Sequence, residues 1–339
     1  MKQVREIALS SSLLLSFLLL LCITPASGLL DSSGQEEKKK EAATVEYSLP
    51  LKISGYAQIQ FAESTDSNNT FSVNRARLSL GGNLLRKLCF KFQADLKKSP
   101  VLLDALAEVS FLRELNLRAG QFLVPFSLEN TTSPGELLTI NRSQTVEKLA
   151  PGRDNGASGR DIGAVLTGNY SFLDYTVGFL NGSGINRTDD NDHKDFVTRF
   201  LIHPFKEAAA GFSCYQGRQR PAGETVDLIR NKYGLELMVN FGRFNLAAEL
   251  IKAKDGQLKR KGWYIQSSFY LTPQKYQLVF KIDSVNLDRG TPGQKTIVYT
   301  AGANWFLSSK SKLQANFEYH RTETGPDQRA FLLQLQAGF

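Results

Sequence analysis

The sequence predicts an all-β chain whose strands close into an antiparallel barrel that crosses a membrane. Three observations carry that prediction. From Leu51 onward, short segments alternate apolar and polar residues at period two. The last of them, Arg329–Phe339, keeps the alternation to the final residue, with Phe331, Leu333, Leu335, Ala337 and Phe339 on one face. Gln334, Gln336 and Gly338 form the other face, and Leu332 is its one misfit. Finally, charged residues make up 22% of the chain and mean hydropathy is −0.24, values that exclude a bundle of membrane helices. They suit a barrel, because half of each strand faces water in the lumen. A soluble domain usually lets its last residues fray. A chain ending in mid-strand predicts a sheet that closes on its own first strand, and a closed barrel is one of two structures that span a bilayer.

Residues 1–28 have the pattern of an export signal. Lys2 and Arg5 form a charged start, Ile7–Ile23 is largely apolar, and Thr24-Pro25-Ala26-Ser27-Gly28 supplies small residues for cleavage after Gly28. Cys22 follows Leu21 rather than a small residue, which excludes a lipoprotein site. No later apolar run approaches the ~20 residues of a spanning helix. Residues 29–50 contain Glu36-Glu37-Lys38-Lys39-Lys40-Glu41 and predict a short polar periplasmic arm, leaving 51–339 as the barrel.

The first strands are predicted at Ile53–Phe61, Phe71–Leu80, Lys87–Leu96, Val101–Phe111 and Leu115–Val124. The rhythm then stops: Ser127–Ser158 holds Pro134, Gly135, Pro151, Gly152 and Gly156 and no convincing strand. A loop of that length inside a compact domain is usually functional, and it is predicted to fold inward as a constriction. Alternation resumes at Ile162–Thr167, Leu173–Leu180, Phe196–His203, Ala208–Gln216, Ile229–Phe241, Phe244–Ala253, Lys261–Leu271, Tyr276–Ser284, Lys295–Phe306 and Leu313–His320. With the terminal segment this gives about 16 strands of roughly ten residues, the length a tilted strand needs to cross hydrocarbon. Connections alternate between short ones (Gly242, Thr272-Pro273, Ser308–Ser311) and longer ones (Asp255–Arg260, Asn286–Gly293, Thr322–Gln328). Aromatic residues near strand ends, among them Tyr170, Phe205, Phe241, Phe244, Tyr276 and Trp305, fit interfacial girdles.

A barrel of about 16 strands leaves an aqueous channel. Its polar face is predicted to carry Arg75, Arg77, Lys87, Lys91, Arg118, Arg199, Lys232 and Lys281, against Asp95, Asp104, Glu108, Glu236 and Glu318. The loop adds Arg142, Lys148, Arg153 and Arg160. Such cations favour anions, and an arginine fork grips a pair of phosphate oxygens. The formal charge of +8 agrees with a mild anion preference. Cys89 and Cys214 each fall in a strand; pairing and simple packing are both open, and strand placement favours packing. His193, His203 and His320 lack metal-ligand spacing, so neither metal nor cofactor is expected.

Several stretches resemble the phosphate-selective porin O and P family: Asn74-Arg75-Ala76-Arg77-Leu78, Ala119–Phe122 with Pro125-Phe126-Ser127, and Gly159-Arg160-Asp161-Ile162-Gly163. Phe179–Gly184, Asp190–Phe196 with Arg199, and Gly302-Ala303-Asn304-Trp305 extend the resemblance from about Leu51 to Phe339. It implies a bacterial outer-membrane barrel, trimeric, passing small anions by diffusion and binding phosphate through lumen arginines. Arg75, Arg77 and Arg160 carry over by motif; Lys91, Arg118, Arg142, Arg153 and Arg199 rest on strand parity or loop position. The terminal Phe339 resembles the assembly signal of outer-membrane barrels, implying contact with the barrel-assembly machinery. Nucleic acid is not an expected partner. A barrel lipase would need a serine beside His320, and no predicted strand offers one. A plugged structural or adhesive barrel is the remaining alternative.

Overall fold

The computed structural model describes residues 50–220 and 226–339. The export signal and polar arm lie outside the described residues, Pro50 apart. The wall consists of β1 (Lys52–Ser64), β2 (Ser67–Leu85), β3 (Leu88–Asp95), β4 (Leu102–Leu112), β5 (Leu115–Leu123), β6 (Arg160–Tyr170), β7 (Leu173–Leu180) and β8 (Asp195–Phe205). It continues through β9 (Ala208–Gln219), β10 (Leu228–Phe241), β11 (Phe244–Asp255), β12 (Leu258–Thr272), β13 (Tyr276–Asn286), β14 (Lys295–Phe306), β15 (Lys312–Thr322) and β16 (Gln328–Gly338). Each strand bonds to the next, and β16 returns to β1, closing the barrel.

The closing seam sets Ala57 opposite Ala337, Ile59 opposite Leu335 and Phe61 opposite Leu333. Beyond it, Gly55 and Phe339 exchange backbone hydrogen bonds of 3.3 and 3.0 Å. A Cβ at Gly55 would stand 2.7 Å from the Arg77 carbonyl and 3.0 Å from the Phe339 ring. Gly55→Val is therefore expected to cost about 1–3 kcal/mol of seam packing. The check is a lower temperature at which the folded band disappears in heat-modifiability gels; an unchanged temperature would show that the seam tolerates the branch.

Alternation in the sequence becomes inside and outside in the barrel. On β10, Arg230, Lys232 and Glu236 are buried, while Tyr233, Leu235 and Leu237 are exposed. On β16, Gln334 and Gln336 are buried and Phe331, Leu333 and Leu335 are exposed. Leu332 is buried on the inner side, the misfit of an otherwise polar face. Apolar surface outside and polar surface inside, on strands paired into a closed ring, is the arrangement hydrocarbon demands.

One rim carries only tight connections, from residues 86–87 to the longest at 307–311. Tyr170, Phe205, Phe241, Phe244, Tyr276 and Trp305 are exposed along that rim, an aromatic girdle. The other rim carries the longer connections 181–194 and 287–294. The sequence also predicts a long loop over Asp255–Arg260, but β11 and β12 meet there across residues 256–257 alone. Lysines on the outward face at these strand ends hide the alternation. Lys87, predicted inward, is exposed in the turn between β2 and β3, where parity has no meaning.

The segment 124–159 leaves the wall after β5 and folds against its polar face. It contains two short helices, α1 (Leu128–Thr131) and α2 (Gln144–Leu149). Their N-caps are Ser127 and Ser143, whose hydroxyls accept from Asn130 N and Val146 N, each at 3.1 Å. Wall carboxylates take the remaining free N–H groups: Glu249 accepts from Leu128 N at 3.1 Å and Glu129 N at 2.7 Å, and Asp283 accepts from Gln144 N and Thr145 N. A carboxylate at a helix N-terminus meets both orphan donors and the positive dipole end. Elsewhere wall side chains donate to loop carbonyls: Lys312 to Leu137 (2.6 Å), Asn304 to Leu138 (2.9 Å), Lys281 to Asn141 (2.9 Å) and Lys232 to Leu149 (3.1 Å). Val146, Leu149 and Ala150 bury against Val197, Tyr215, Ile251 and Tyr264 of the wall.

Candidate functional site: a cationic cavity in the lumen

Between the loop and one arc of the wall lies a cavity of about 320 Å³. Arg75 and Arg77 come from β2, Lys91 from β3, Lys98 from the β3–β4 turn and Arg160 from the start of β6; the loop contributes Arg142 and Arg153. Asp104, Glu136 and Glu147 are the acids among its lining residues. Seven cations against three carboxylates leave a surplus of four positive charges, or three with Asp95, the buried partner of Arg77, included.

Hydrogen bonding divides these cations into two kinds. Arg77 Nε is 3.2 Å from Asp95 Oδ2. Asp104 bridges Arg160 Nε at 2.6 Å and Lys91 Nζ at 2.8 Å. Arg153 binds Glu147 at 3.0 Å and Asn130 Oδ1 at 2.6 Å. The other three have no carboxylate within salt-bridge reach among the described residues. Arg75 donates to Gln58 Oε1 (2.7 Å), Arg142 to the carbonyls of Glu129 (3.0 Å) and Thr132, and Lys98 to Ser158 Oγ (3.3 Å). Electrostatics of the loop and turn residues agree. Burial first, then the charges of Arg77 and Arg75, pulls the Lys98 ammonium below its ordinary value. Burial, then neighbouring Arg142, pulls the Arg153 guanidinium down to about 9, still charged at neutral pH. Both shifts arise first from burial and then from neighbouring cations, and a bound anion would oppose both.

Of the sequence-predicted set, the structure gathers Arg75, Arg77, Lys91, Arg142, Arg153 and Arg160 at this cavity. Arg118 and Arg199 do not line it. Arg118 pairs with Glu108 on the adjacent β4 at 2.7 Å, and Arg199 reaches across β9 to form a fork on Glu236 of β10 at 2.8 and 2.6 Å, so both spend their donors on wall carboxylates. Lys98 escaped the sequence reading because it sits in a turn. Lys232, predicted inward, is fully buried and joins Arg230 around Asp154 of the loop, a structural cluster. His320 Nε2 is 3.1 Å from Glu318. Cys89 and Cys214 are free thiols.

The family model for phosphate-selective porin O and P matches residues 53–222 and 218–336. The chain belongs to that family. This porin is accordingly a channel of the bacterial outer membrane. Its fold is similar to an anion-selective porin from Comamonas acidovorans, with a TM-score of 0.69 at 14% identity, covering 86% of this chain and 100% of that one. The outer-membrane channel DcaP of Acinetobacter baumannii aligns with a TM-score of 0.64 at 11% identity over 85% and 97% of the two chains. A trimer form of OmpT, an outer membrane protein of Vibrio cholerae, gives 0.64 at 9% identity over 86% and 99%. No curated protein matches the chain in sequence.

Proposed function

We propose that this porin passes small solutes by diffusion with a preference for anions, and that phosphate lodges in the cavity between β2, β3, β6 and the 124–159 loop. The observation that carries the reading is the excess of cations there, with Arg75, Arg142 and Lys98 lacking a carboxylate partner among the described residues. Guanidinium forks suit pairs of phosphate oxygens, and a ring of fixed positive charge at a narrow point selects anions. The loop narrows the lumen as a fixed constriction, since its backbone is bonded along the wall from Ser127 to Leu149. The porin works as a homotrimer, a reading supported by the trimeric form of a similar fold. Phe339, at the closing seam, offers itself to the barrel-assembly machinery.

The test is the single-channel reversal potential of the refolded protein across a potassium chloride gradient, repeated with phosphate added. An anion-selective current blocked by phosphate is expected. Arg75→Ala, which removes a charged hydrogen-bond donor, is expected to weaken the block about 10- to 100-fold. A large, unselective current indifferent to phosphate would make the protein a general porin. No current would favour the plugged barrel.

A further inference from the structure

The outer surface of the barrel carries a second cationic feature, separate from the lumen. Where β11 and β12 meet at the long-loop rim, Lys252 stands directly opposite Lys261, and Lys254 directly opposite Lys259. All four lie on the outward face, because the intervening Ile251 and Ala253 are buried on the lumen side. Lys252, Lys254 and Lys259 are exposed and Lys261 is half-buried. Like charges directly opposite one another on a sheet face are destabilising, and here two such pairs are stacked. Among the described residues none of the four has a salt-bridge partner. Asp255, the adjacent acid, is engaged on the other face by Arg230 at 3.3 Å and Arg260 at 3.4 Å.

The depth of the block identifies its partner. On the same outward face, one step toward the membrane, Leu250 stands opposite Trp263, and Ile265 stands opposite Ala248 below them. The lysines begin where the apolar surface ends, with an indole at the boundary, the level of lipid headgroups. Their stems can lie along that surface while the ammonium groups reach the headgroup oxygens. The rim of long connections is the outer one in such barrels. We propose that Lys252, Lys254, Lys259 and Lys261 bind the phosphate groups of an anionic lipid in the outer leaflet. The lipid phosphates supply the counter-charge that the sheet lacks, so the site belongs to anchoring in the membrane and is independent of conduction.

The refolded full-length protein is titrated in detergent with bis-phosphorylated lipid A, its dephosphorylated form and inorganic phosphate, with occupancy read by native mass spectrometry. The phosphorylated lipid is expected to bind at least about tenfold more tightly than the dephosphorylated one, and inorganic phosphate is expected not to compete at equal concentration. Replacing all four lysines by glutamine should remove the tenfold preference and leave single-channel conductance unchanged. Should that variant fail to refold, Lys252→Gln with Lys261→Gln, and Lys254→Gln with Lys259→Gln, are measured as pairs, each expected to lose about threefold of the preference. Equal binding of the two lipids, a preference that survives the substitutions, or displacement by inorganic phosphate would each overturn the proposal.

Discussion

Asp154→Ala is expected to unseat the 124–159 loop, giving a larger and noisier single-channel current while the barrel stays folded. Asp154 Oδ2 is 2.5 Å from Arg230 Nη2 and also bonds Lys232 Nζ. Both cations project from β10 into the lumen and are buried. Burial alone raises the Asp154 carboxyl; the charges and hydrogen bonds of Lys232 and Arg230 outweigh it and hold the carboxyl below its ordinary range. Without it, Asp255 alone would face Arg230, Lys232 and Arg260. Stranding buried charge in this way costs about 3–5 kcal/mol, several times one ordinary hydrogen bond. The wall strands keep their own ladders, so the cost falls on the loop.

The same ion cluster supplies a control. Replacing a buried ion pair by apolar residues of similar volume is often neutral. Asp154→Leu combined with Lys232→Leu leaves Arg230 and Arg260 to share Asp255 and gives up the Lys232 bond to the Leu149 carbonyl, so its conductance is expected to return toward the wild-type level without fully reaching it. If Asp154→Ala conducts like the wild type, the helix caps from Glu249 and Asp283 and the apolar packing of Val146 and Leu149 hold the loop unaided.

How far the sequence could anticipate this structure depends on whether a signal is local. The strands were legible because a barrel in lipid imposes period two on each strand separately, and Leu173–Leu180 and Lys295–Phe306 fall where the pattern puts them. Strand ends were less so: Lys254 and Lys259 are outward residues at headgroup depth, and their polarity imitates a loop. Parity places Arg118 and Arg199 as well as it places Arg75. It carries no information about which neighbour each will meet, and the cross-strand partners Glu108 and Glu236 decide that those two are neutralised. Arg75 faces Gln58 across the β1–β2 ladder instead, and keeps its charge. The short helices α1 and α2 were hidden for another reason. At four and six residues they have little helical preference of their own and depend on wall carboxylates more than 100 positions away in sequence.

The anion preference of the channel is expected to disappear in the double variant Arg75→Glu with Lys98→Glu. Each substitution changes the local charge by two, so together they cancel the surplus of three to four positive charges at the cavity. Among the described residues neither Arg75 nor Lys98 holds a carboxylate that would be left buried and unpaired. Arg77→Glu or Arg160→Glu would instead set a new acid against Asp95 or Asp104 and disturb the wall itself. The expected reversal potential across a potassium chloride gradient is therefore near zero, with no inversion to strong cation selectivity, and phosphate block is lost. Because the loop anchors on β8–β16 are untouched, unitary conductance should stay within about twofold of the wild type, since charge at the constriction alters ion choice more than pore width. A double variant that retains its anion preference would place the selecting charge elsewhere in the lumen. A single Arg75→Ala that already abolishes it would assign the selection to one guanidinium, with the summed field contributing little.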